Sequence, residues 1–237
     1  SGLQGAVSSL KGMLGGLGVA LGAGAFVSFT KQTLDSADAL GKTADRLGLT
    51  TEALQTLHFA ATQSGMSTEM LEMSMQRFTR RMAEASSGTG VLKDTFKELG
   101  ISIKDPNGRL RSAESILGDV ADKMAAIPDQ GERVKLAFKM FDSEGVKMVN
   151  ILQGGSKNLA KMRKELIKTG AVMTDDFIDN AETANDALDK LSRSVKVGFS
   201  AAISGLAPVI TDVADSMTDF IALCREFPTV TAMAGAI

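Results

Sequence analysis

From Phe177 onward the chain repeats itself every seven residues. Phe177, Ala184, Leu191 and Gly198 form one row, and Ala181, Leu188, Val195 and Ala202 form a second row offset by four. This three-and-four spacing puts both rows on one side of an α-helix, whereas a strand would alternate every second residue. Asp, Asn, Glu, Lys and Ser fill the positions between. The result is an a/d seam sustained for nearly four heptads. Its candidate helix-association residues are Phe177, Ala181, Ala184, Leu188, Leu191 and Val195. Two outcomes stay open for it: an ordinary amphipathic helix packed on its own domain, or a helix that meets a partner, including another copy of itself. Ala and Gly on the seam permit close approach and contribute modest burial.

The remainder of the chain is compatible with the same fold class. It has no Trp, no Tyr and 5% aromatic residues, too few for the core of a β-sandwich. The expectation is all-α: a multi-helix module, one short β-hairpin at about 101–111, and the long C-terminal heptad-patterned helix. Helix signals punctuate the middle. Thr50 or Thr51 is placed as an N-cap, with Gly65 past the end; Ser67 or Thr68 caps the next helix, which Gly88 stops. On that helix Leu71, Met75, Phe78 and Met82 recur at i, i+4, i+7 and i+11. The run ISIKDPNGRLR changes period and alternates around Asp105-Pro106-Asn107-Gly108, a turn between strand-like arms. A helix ends before Pro128, and Asp129 with Glu132 forms a D-x-x-E capping arrangement that opens the next.

The stretch GMLGGLGVALGAGAFVSFT, Gly12 to Thr30, carries no charge. As a helix at about 1.5 Å per residue it would nearly cross a hydrocarbon core of roughly 30 Å. Gly12 with Gly16 and Gly18 with Gly22 each satisfy G-x-x-x-G, the spacing that lets helices approach closely in lipid. These four glycines, Phe26 and Phe29 are the candidate membrane segment. Glycine is a poor helix former in water, so a buried helix or a linker is the competing interpretation. A signal peptide fits less well, because the apolar run is too long and lacks a cleavage site. Four regions are expected: 1–31, the glycine-rich apolar segment; 32–172, a helical module; 173–203, the coiled-coil-capable helix; and 204–237, an apolar C-terminal segment. The SGLQ start and the apolar end are read as those of a piece of a longer chain.

Catalytic chemistry has little to work with. His58 is the sole histidine and Cys224 the sole cysteine, so no cofactor, no metal and no enzymatic role are expected. His58 is expected as a half-buried core residue and Cys224 as a small packed hydrophobe. Neither a P-loop nor a strand-led G-x-G-x-x-G is present. Asp175 and Asp176 stand at a helix start, where the helix dipole favours them. Arg77, Arg80 and Arg81 share a helix face and are expected as a solvated face or partner contact rather than a phosphate site. With a net charge of −2, no specific nucleic-acid binding is expected.

Several segments in fixed order carry a resemblance. SADALGKTADRLGLTTEALQTLHFAATQSGMS, MQRFTRRMAEASSGTG, FKELGISIKDPNGRLRS, DVADKMAAIPDQGERVKLAFKMFDSEG, VNILQGGS and GAVMTDDFIDNAETANDALDKL run from about Asp35 to Leu191. Together they resemble the helical module of tail tape measure proteins of long-tailed bacteriophages and prophages. The resemblance implies a structural virion protein, resident in the tail-tube lumen or tip after assembly in the host cytoplasm. It implies a role in setting tail length, in organising tube polymerisation and in leaving at DNA ejection, with insertion in the host membrane as a further step. The implied partners are tail-tube and tail-tip proteins, tail assembly chaperones, and other copies of the chain, as a trimer by family analogy. It carries over no catalytic residues. Three other interpretations stay open: a membrane-active pore-forming or translocation protein outside any tail, a cell-wall-cleaving enzyme, and a coiled-coil signalling module.

Overall fold

A computed structural model of the chain describes residues 23–170, 172–197 and 203–226. The described part is all-α and separates into two compact units, one of them Lys42–Val172 and the other formed by residues up to Gly41 together with those from Met173 onward. Helix α1 (Ala23–Leu47) contributes to both.

In the Lys42–Val172 unit the chain continues through α2 (Thr51–Gln63), α3 (Thr68–Ser86), α4 (Leu92–Glu98), α5 (Ala113–Ala126) and α6 (Gln130–Phe141). A 3₁₀ turn over Asp142–Glu144 leads into α7 (Gly145–Leu152), followed by α8 (Gly155–Lys168). Thr50, Ser67, Ser112 and Asp129 cap α2, α3, α5 and α6, each accepting from the backbone N–H three residues on. The four-residue stripe on α3 is the centre of the core: Leu71, Met75, Phe78 and Met82 are all buried. Phe78 meets Phe96 of α4 edge-on at 6.5 Å and Phe141 of α6 at 5.2 Å. Ile116, Val120 and Met124 of α5 and Met148, Val149 and Leu152 of α7 complete it.

The segment expected as a hairpin is a tight turn with one antiparallel bridge, Lys104 to Leu110. Asp105 organises it: its Oδ1 accepts from the N–H groups of Asn107 (2.8 Å) and Arg109 (2.9 Å), while Gly108 takes φ +79°. Arg111 ties the turn to α5 through Asp119 (2.8 Å) and Ser115 (2.7 Å). No longer strand forms among the described residues.

The second unit joins the first part of α1 to α9 (Asp175–Val197) and α10 (Ile203–Glu226). Leu34 and Ala37 of α1, Met173, Phe177, Ile178, Ala181 and Ala184 around α9, and Phe220 of α10 form its core. The rings of Phe177 and Phe220 lie 5.1 Å apart. α1 and α9 approach closely at Gly41, where a Cβ would stand 2.8 Å from Ile178 Cγ2. Among the described residues no helix is long and apolar enough to cross a membrane.

Candidate interaction surfaces

The heptad rows of α9 have a definite environment in this structure. Phe177, Ala181 and Ala184 are buried within their own unit, and Leu188 packs partly against the same cluster. The helix that covers them is therefore α1 or α10 of the same chain, and the three small or aromatic side chains already have partners. The side chains of Leu191 and Val195 lie outside the described residues, as do Gly12, Gly16, Gly18 and Gly22. Phe26 and Phe29 fall on α1, with side chains outside the description.

Of the arginine cluster on α3, Arg81 turns inward while Arg80 stays exposed to solvent. Arg81 Nη1 donates to the carbonyls of Lys139 (2.8 Å) and Phe138 (3.3 Å), and Nη2 donates to Asp142 Oδ2 at 3.2 Å. Its side chain retains only 15% of its exposure. A helix C-terminus leaves carbonyls without intrahelical partners and carries partial negative charge, so a cation from a neighbouring helix satisfies both. Arg77 Nη1 donates to Ser143 Oγ at 3.2 Å, and Arg80 lies 3.6 Å from Glu84, one turn along. Helical spacing put these residues on one face; it carried no signal that α6 would end beneath that face.

A cavity of about 190 Å³ opens between α2, α5 and α8. Leu57, Leu117 and Leu159 give it apolar walls, and Glu114, Ser156 and Arg163 supply the polar atoms. Each of these is bonded to a neighbouring side chain. Arg163 grips Glu52 of α2 with Nε (2.7 Å) and Nη2, Thr50 Oγ1 donates to Glu114, and Ser156 donates to Asp122 from both N and Oγ. The lining is mostly apolar, with its polar side chains paired to their neighbours at the rim.

His58 is half-buried on α2, with Nε2 3.2 Å from Glu72 Oε1 on α3, although the carboxylate is off the N–H direction. Burial lowers its pKa, outweighing the opposing pull of Glu72 and, more weakly, Glu69. Among the described residues no group of His, Cys, Asp and Glu could hold a metal ion. What the described residues present is a set of packed helices tied together by interhelical clamps.

No curated protein and no solved structure matches the chain. The profile of one family does match: phage-related minor tail protein, over residues 18–142, which takes in α1 to α6 and slightly more than half of the chain. On that match the chain belongs to the phage-related minor tail protein family.

Proposed function

We propose that this chain is a module of a tail tape measure protein, within the structural tail role that its family carries. The supporting observation is an overlap. The family match covers residues 18–142, and the ordered segments resembling tape measure proteins begin at Asp35 and run through the same helices. On this reading the Lys42–Val172 unit is a folded station along a longer helical ruler in the tail-tube lumen. Its partners are tube and tip proteins, with assembly chaperones covering the apolar flanks before polymerisation. The segment from Gly12 to Phe29 is then the part available to the host membrane at ejection.

Self-association needs a further condition. Phe177, Ala181 and Ala184 are covered by their own unit, so a trimeric seam through them requires this core to exchange its partners for other copies.

In-frame deletion of residues 42–172 in the phage, followed by electron microscopy of tails, tests the ruler. Shorter tails are expected, with about 1.5 Å lost per deleted residue if the module is read out as helix. Tails of unchanged length, on virions that contain the deleted protein by mass spectrometry, would overturn it.

A further inference from the structure

α6 and α7 are joined by one backward step. Phe141, Glu144 and Gly145 on either side keep right-handed helical backbone, with φ of −117°, −80° and −56°. Asp142 between them departs, at φ +67° and ψ −144°. That combination borders the region occupied essentially by glycine, and Asp142 is the single non-glycine residue with positive φ among those described.

Two contacts hold it there. Arg81 from α3 binds both the last carbonyls of α6 and the Asp142 carboxylate, so one guanidinium fixes the residue and the helix end together. Gly145 then lets the start of α7 rest on the backbone of α6: a Cβ at that position would stand 2.6 Å from Ala137 C and 2.7 Å from Phe138 N. α7 has no side-chain N-cap of its own, as befits a helix interrupted rather than begun.

We propose that Gln130–Leu152 is a single helix folded back on itself at Asp142, a hinge that straightens when the Arg81 clamp is released. Phe141, Glu144 and Gly145 already lie on the right-handed side, so the largest backbone change falls on Asp142. Straightened, the segment would run about 34 Å, against about 18 Å for α6 alone. Burial of Phe141, Met148 and Val149 favours the folded-back form, so straightening requires another surface to cover them or the clamp to be removed.

Spin labels at Gln130 and Asn150, both exposed, in a Cys224→Ser background read the hinge by pulsed dipolar spectroscopy. The otherwise wild-type protein is expected to give one short distance. Arg81→Ala combined with Asp142→Ala is expected to add a population near 30 Å, the span of twenty residues of helix, with helicity by circular dichroism maintained. A short distance alone, or lengthening with loss of helicity, would overturn the proposal. Should the double variant fail to fold, Asp142→Gly and Asp142→Ala decide the matter. Both remove the carboxylate, so their difference reports the backbone. A higher melting temperature for Gly supports a left-handed hinge, whereas a higher one for Ala, the order found inside helices, overturns it.

Discussion

Arg163 of α8 and Glu52 of α2 meet in a two-point fork across 111 residues of chain. The pair ties α8 to α2 beside the cavity at Leu57 and Leu159, while Ser156 ties the start of α8 to Asp122 of α5. Both side chains are partly exposed, at 49% and 32%, so solvent screening limits the pair to about 0.5–1 kcal/mol. Arg163→Lys keeps the charge and loses the fork. Urea unfolding should show a loss within that range at low salt and a smaller one in 1 M salt, where surface charges are screened. An equal loss at both salt concentrations would mean that packing, not the ion pair, is what Arg163 provides.

Phe78 joins three helices in the core of the Lys42–Val172 unit. It is fully buried and touches the rings of Phe96 and Phe141 from two other helices. Phe78→Ala removes those contacts and leaves a cavity, for a cost of about 3–5 kcal/mol. Phe78→Leu should recover a large part of it. Denaturant midpoints of the two variants provide the check; a loss under 1 kcal/mol for the alanine variant would contradict the buried three-ring arrangement.

His58 gives the fold a pH dependence with a definite sign. Its pKa in the folded state lies below the ordinary value of 6.5, because burial disfavours the imidazolium more than Glu72 favours it. Between the two values the unfolded chain binds more protons than the folded one, so stability is lost as pH falls from about 6.5 through the lowered folded value. Thermal melts between pH 7.5 and 5 should show this decline, and His58→Gln should flatten the part of it that His58 causes. A wild-type profile that rises toward pH 5, with the rise abolished in His58→Gln, would show that Glu72 dominates instead.

What the sequence disclosed, and what it withheld, divides along physical lines. Features that depend on neighbours a few residues apart were legible: the buried stripe Leu71–Met82, the caps at Ser67 and Asp129, and the half-buried placement of His58. The alternation around Asp105 was visible, but the arms are short and pair at one bridge, with the Asp105 carboxylate holding the turn and the Arg111 guanidinium tying it to α5. Long-range partners left no local mark. Nothing near Arg163 announces Glu52, and an arginine four residues from another on a helix face looks the same whether it is solvated or, like Arg81, closes a helix end. The heptad rows specified an apolar stripe on α9 without specifying that Leu34 and Phe220 would help to cover it. Asp142 is the hardest case, since its backbone is set by what packs around it and not by its own preference.

The cap at Asp129 permits a sharper test than most. Its Oδ1 accepts from Glu132 N at 2.7 Å, directly after Pro128 has ended the preceding segment. Asp129→Ala leaves that N–H to water and removes a negative charge from the positive end of the helix, a loss of about 1 kcal/mol. Asp129→Ser restores an acceptor without the charge and should recover most of the stability. If serine recovers nothing, the carboxylate acts through its charge and not as a cap.

Two glycines in helices of the same unit should respond in opposite directions to alanine. At Gly118, on α5 beside the cavity, a new Cβ would have Ser156 Cβ at 3.9 Å as its nearest neighbour, an ordinary contact. The backbone there is helical, so Gly118→Ala gains helix propensity and trims the unfolded ensemble, worth about 0.5–1 kcal/mol of added stability. At Gly145 the added methyl would press on Ala137 and Phe138 backbone atoms at 2.6–2.7 Å, which no side-chain rotation relieves. The same propensity gain is available there, and the overlap outweighs it: Gly145→Ala should lose about 1–3 kcal/mol. Melting temperatures of the two variants, measured side by side, would then move apart. A rise in both would mean that α6 and α7 have room to separate at their junction, and a fall in both would place Gly118 in a tighter site than its surroundings show.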